Sequence, residues 1–219
     1  ESVMKNFFKS ALLAASSLSM AVPQGAGAQS PQRFPEIPLE KLTPEQKQWA
    51  ESVSAPPRGA NFRQPPYRIY LRSPALAERI TGVSDYLRWN TQFPARLTEF
   101  AILLSARNQN VRWAWRSHYK AAIKGGLDPK VGVELAAGRR PAGMQEDEAA
   151  LYDLATEIFR DKKVSDTTYA TALAKFGEQG IVELIALMGY YDLVGMLLIA
   201  GNAQPPDDPE VPVLQPLPR

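Results

Sequence analysis

From Ser73 to Ala200 the apolar positions recur at helical spacing. No stretch alternates with period two for long enough to predict a strand. Ser73-Pro74 is a cap-plus-proline start, leading into Leu76, Ile80, Val83 and Leu87. Pro94 opens the next helix, with Leu97, Phe100, Ala101 and Leu104 apolar. Asn108-Gln109-Asn110 is a turn signal, and a further helix runs from about Val111 to Lys124, where Gly125-Gly126 stops it. Asp128-Pro129 starts a short helix, and residues 145–160 form another around Leu151, Leu154, Ala155 and Ile158. Ser165-Asp166 caps a helix through Lys175, and the last runs from Gly180 to Ala200. That last segment is apolar on almost every face, which predicts burial on all sides or a place in a subunit interface. Glu183 and Asp192 within it argue against a membrane span.

The pattern before Ser73 is different. Thr43-Pro44-Glu45-Gln46 combines a cap, a first-turn proline and the fourth residue of a capping box. The helix it starts should end by Ala55, because Pro56-Pro57 cannot continue it. Residues 29–42 should be extended, and residues 56–66 a proline-rich loop. Earlier still, Lys5 and Lys9 precede an apolar run from Ala11 to Val22, then Ala26-Gly27-Ala28. Positive charge, apolar run and small-residue cleavage site follow the order of a secretory signal. Met4 reads as the natural start, residues 1–3 as upstream, and Gln29 as the mature N-terminus. The apolar run is too short to span a bilayer. The expected organisation is a signal over 1–28, an extended arm with one short helix over 29–66, a helical domain over 67–200, and a proline-rich tail over 201–219, extended or disordered. The expected location is periplasmic or secreted, without stable membrane insertion after cleavage.

Composition narrows the chemistry. The 219 residues hold no cysteine and one histidine. Disulfides, thiolate nucleophiles, Cys-ligated zinc and a lipoprotein anchor are excluded, as is a multi-histidine metal site within one chain. A formal charge of +2, or +1 after removal of residues 1–28, is too small for a nucleic-acid footprint. Scattered carboxylates offer no metal site, and no cofactor is expected.

The candidate chemistry surrounds His118. Glu99 and His118 lie symmetrically about the Asn108–Asn110 turn, so a helical hairpin puts them at similar depth. Spacing alone leaves open whether both face inward. A carboxylate beside an imidazole can orient its tautomer and raise its basicity, which equips a general base. Arg107 and Arg112 could hold a substrate carboxylate, and Trp113 and Trp115 could form an apolar wall.

Arg96-x-x-Glu99, Trp115-x-x-His118 and Gly126-Leu127, in that order, resemble the carboxymuconolactone decarboxylase family, which shares its fold with alkylhydroperoxidase D. Val164-Ser165-Asp166, Phe176-Gly177-Glu178, Val182-Glu183-Leu184 and Gly189-Tyr190-Tyr191 extend the likeness, so that it covers about residues 67–200. The resemblance implies an all-α, alkylhydroperoxidase D-like domain and a homo-oligomer, commonly a trimer or hexamer. It departs where the peroxidase branch carries Cys-x-x-Cys, since those positions are Val111 and Ala114 here. A glutamate often found before the family tryptophan is replaced by the same Ala114. Thiol-based peroxide reduction cannot occur in this chain.

Three functions follow from these residues. The first is cofactor-free decarboxylation or a related lyase reaction on a small organic acid or lactone. There His118 is the general base, Glu99 orients it, and Arg107, Arg112, Trp113 and Trp115 contact the substrate. The second is a non-catalytic periplasmic protein that binds a small ligand or serves structurally on the same scaffold. The third is a redox accessory whose partner supplies the thiols.

Overall fold

The computed structural model describes residues 33–217. The expected export signal lies outside the described residues, as do the last two residues of the tail. The described chain is helical, with no strand. A short 3-10 turn, Leu39–Lys41, precedes α1 (Pro44–Ser54), α2 (Tyr67–Tyr70), α3 (Pro74–Trp89), α4 (Ala95–Asn108), α5 (Arg112–Lys124), α6 (Pro129–Ala136), α7 (Glu146–Thr156) and α8 (Asp166–Ala200). A π turn, Glu157–Asp161, extends α7.

Helix α4 is the axis of the fold. Every residue from Leu97 to Arg107 is buried, under α3, α5, α6, α7 and α8. Its junction with α5 explains the hairpin. Asn110 takes a left-handed conformation (φ 54°), Asn110 N–H donates to Arg107 O at 3.1 Å, and Val111 N–H donates to Ala106 O at 2.8 Å. That pair of bonds closes the helix end and turns the chain back. At the other end of the hairpin a Cβ on Gly125 would lie 2.9 Å from the Arg96 backbone nitrogen, so the end of α5 touches the start of α4. Arg96 itself pairs with Asp147 at 2.6 Å and with buried Glu148, pinning the first turn of α4 to the first turn of α7.

Several expectations hold in detail. Thr43 and Gln46 form the capping box of α1, Asp128 caps α6, and Ser165 accepts from Thr168 N–H to cap α8. Others change. Ser73 makes no side-chain cap. On α3 the residues turned to the core are Ala77, Thr81, Ser84 and Leu87, while Leu76 and Val83 are exposed. Small side chains let α3 approach α1 and α8 closely, and bulky ones are left outside. The last two predicted helices are one span, Asp166–Ala200, interrupted at Gly177 (φ 67°, ψ 173°). The span is long and apolar enough to cross a membrane by length and composition. One side of it is instead buried on α3, α4, α5 and α7, while Val182, Ile185, Met196 and Ile199 are exposed.

The segments on either side also belong to the core. Trp49, Ala50 and Val53 of α1 are buried, and Trp49 Nε1 donates to Thr81 Oγ1 at 3.4 Å. The described tail packs on the helices without forming one of its own. It lies along α5, with Val211 and Leu214 buried and Gln215 N–H donating to Ala136 O at 3.0 Å. Arg116 and Lys120 pair with Asp208 at 3.3 and 3.0 Å, so charges one helical turn apart on α5 bind the acidic tail.

Gly177 gives a direct test of this geometry. Its backbone angles are essentially restricted to glycine, although a Cβ there would meet nothing within 4 Å. Gly177→Ala should destabilise the protein by about 1–3 kcal/mol in urea unfolding, through backbone strain alone.

Candidate active site

Glu99 lies in the second turn of α4 and His118 in the second turn of α5. The hairpin brings them together: His118 Nδ1 is 2.6 Å from Glu99 Oε2. The other carboxylate oxygen is also occupied, because Arg88 Nη2 on α3 donates to Glu99 Oε1 at 3.0 Å. Glu99 is only 6% exposed, so three elements converge on one interior carboxylate.

The charge state follows from that convergence. Burial opposes ionisation of Glu99, but the charges and hydrogen bonds of His118 and Arg88 outweigh it and hold the carboxyl below its ordinary range. An ionised carboxylate only accepts hydrogen bonds. His118 therefore carries its proton on Nδ1, and in the neutral ring the lone pair is on Nε2. For Arg88, burial opposes the charge, but the charge and hydrogen bond of Glu99 favour it, and its pKa rises further. Tyr191 meets the imidazole edge to face, with ring centroids 4.9 Å apart, and Tyr190 packs on Tyr191 at 5.1 Å. Burial pushes the Tyr191 hydroxyl well above its ordinary value, so the ring beside His118 stays neutral.

His118 opens onto a cleft of about 300 Å³. Its walls come from residues 58–67, the end of α3, the first half of α5 and the C-terminal third of α8. Trp113, Tyr67, Tyr191, Val194 and Leu198 supply the apolar surface. Arg58 is buried at the edge, paired with Asp85 and lying 5.2 Å from the Trp89 ring centroid.

Of the expected substrate contacts, Trp113 lines this cleft and three residues do not. Arg107 is at the far end of α4, where Nη1 donates to Gln215 O at 3.0 Å. Arg112 is exposed on the tail side of α5, 3.9 Å from Asp207. Trp115 is buried on that side too, its Nε1 donating to Pro212 O at 2.8 Å. The reason is rotation about the axis of α5. Residues 112, 115, 116 and 120 meet the tail, whereas 113, 114, 117 and 118 meet the cleft. Sequence reasoning missed Arg88, Arg58, Tyr67 and Tyr191. Only Tyr191 carried a signal, in the Gly189-Tyr190-Tyr191 match. Among the described residues no group of three His, Asp or Glu side chains is placed to hold a metal ion.

No family model and no curated protein matches the chain. Solved structures do. An uncharacterised peroxidase-related protein from Silicibacter sp. TM1040 superposes with TM-score 0.67 at 14% identity, over 83% of this chain and 96% of that one. An uncharacterised peroxidase-related protein from Ralstonia eutropha JMP134, described as an alkylhydroperoxidase AhpD core, gives 0.65 at 15% identity, over 82% and 95%. The chain thus has the all-α, alkylhydroperoxidase D-like fold that its motifs imply.

The Glu99 network makes stability depend on pH. Its pKa is lower folded than the ordinary 4.5, so its contribution is complete above that value and is lost as pH falls through the folded pKa. Glu99→Gln leaves Arg88 buried without its carboxylate, and at neutral pH it should cost about 3 kcal/mol. In urea unfolding, the gap between wild type and Glu99→Gln should narrow as pH falls below about 4.5. A gap independent of pH would contradict an ionised Glu99.

Proposed function

We propose that the protein is an exported, homo-oligomeric enzyme of alkylhydroperoxidase D-like fold that acts on a small carboxylate or lactone, without a thiol, using His118 as general base. The observation that carries this reading is the 2.6 Å contact of Glu99 with His118 Nδ1 at the edge of a cleft. With the Nδ1 proton held by a carboxylate, Nε2 is the basic atom and can take a proton from a substrate or, once protonated, return one. In a decarboxylation the bond to the departing CO₂ breaks and its electron pair moves into a conjugated carbonyl of the substrate. The enolate then takes back, from the His118 imidazolium, the proton that Nε2 removed from the substrate's carboxyl group before the bond broke, so His118 ends neutral. Trp113 and Tyr191 form the apolar walls beside that ring. Export rests on the charged, apolar and small-residue order of residues 5–28. Self-association is supported by the exposed Val182, Ile185, Met196 and Ile199 of α8, and a trimer or hexamer is what the family resemblance implies.

A second reading is a small-ligand-binding protein without catalysis. It is favoured by Val111 and Ala114 at the positions where the resembling peroxidases carry their reactive cysteines.

Purified mature protein and His118→Ala should be compared on a panel of lactones and β-keto acids. The expected result is turnover by the wild type, reduced at least about 100-fold in the variant, at unchanged helical content. Turnover that survives in His118→Ala overturns the role of His118. Ligand-induced thermal stabilisation with no turnover in either protein supports the binding reading instead.

A further inference from the structure

We propose that Arg88 is the carboxylate anchor of the cleft, taking an unsaturated or aromatic monocarboxylate and setting it beside His118. The inference deepens the functional reading above and rests on the same cleft.

Two arginines line that cleft, and they differ in how far their donors are used. Arg58 is committed. It pairs with Asp85, and it donates to Thr81 O at 3.3 Å and to Tyr67 Oη at 3.4 Å. Those bonds tie the loop at 58–67 to α3. Arg88 donates to one acceptor, Glu99 Oε1, and its Nε is buried with no hydrogen-bond partner among the described residues. A guanidinium has five N–H donors in a planar fork, so Arg88 retains donors after binding Glu99. Arg88 lines the cleft, so donors left over from Glu99 can meet a carboxylate bound there.

Position supplies the rest. Arg88 and His118 hold opposite oxygens of the same carboxylate, so an anion bound by Arg88 is next to the imidazole. Three aromatic rings, Tyr67, Trp113 and Tyr191, supply much of the apolar part of the cleft wall. Those rings suit a planar body, and among the described lining residues the other arginine, Arg58, is already committed to Asp85. A monocarboxylate therefore fits better than a dianion. The arginines first expected to do this, Arg107 and Arg112, are held by the tail outside the cleft.

The test uses benzoate and benzamide, which share a shape and differ in charge, titrated calorimetrically into the mature protein. Benzoate should bind about tenfold or more tightly than benzamide. Arg88→Gln should bring that ratio close to one, Arg88→Lys should retain part of it, and Arg112→Gln should leave it unchanged. Because Arg88→Gln strands Glu99, the paired variant Arg88→Gln/Glu99→Gln removes both charges together, and it should also show a ratio near one with cooperative melting. The proposal is overturned if wild type binds the two probes equally or binds neither, or if the preference survives in both Arg88 variants to Gln. Binding is read without turnover, which separates the two ideas. An Arg88-dependent preference without His118-dependent turnover removes the catalytic reading and leaves the anchor. The reverse pattern removes the anchor alone.

Discussion

A carboxylate buried inside a helix bundle has to be answered, and Glu99 is that carboxylate. Helix α4 is enclosed along nearly its whole length, so Glu99 cannot reach water as an ordinary surface glutamate does. An unpaired charge there would be costly enough to unfold a domain of ordinary stability. The fold answers with one cation from α3 and one imidazole from α5, each on its own oxygen. The same arrangement fixes the His118 tautomer. The group that satisfies the interior is therefore also the group that sets the proton on His118.

The elements around that pair have separate tasks. The end of α3 delivers Arg88, and α5 delivers His118 and Trp113. The C-terminal third of α8 closes the cleft with Tyr190, Tyr191 and Val194. Behind the site the tail is held by Trp115, Arg116 and Lys120 of α5. One face of α5 thus carries the chemistry while an adjacent face is braced. The loop at 58–67 is likewise tied down, by Arg58 on Asp85. The His118 cleft is bounded on one side by residues 58–67, which local pattern alone would leave as a loose loop.

Much of this was legible in the order of the residues. Helical period, caps at Thr43, Asp128 and Ser165, and the turn at Asn108–Asn110 are local properties, set by hydrogen bonds within a few residues. They determine the helices and the hairpin, and the hairpin determines that Glu99 and His118 are at one depth. The absence of cysteine determines what chemistry is excluded. Tertiary structure decided the rest. Whether Trp115 or Trp113 faces the cleft depends on the rotation of α5 against its neighbours, which two residues of spacing cannot encode. Whether Leu76 and Val83 face inward depends on how closely α3 must approach α1 and α8, and small residues won that face. Arg88 had no local signal, because its partner is 11 residues away across a helix junction. Local bonding reads along the chain; the choice of face and of distant partner is made only when the helices pack.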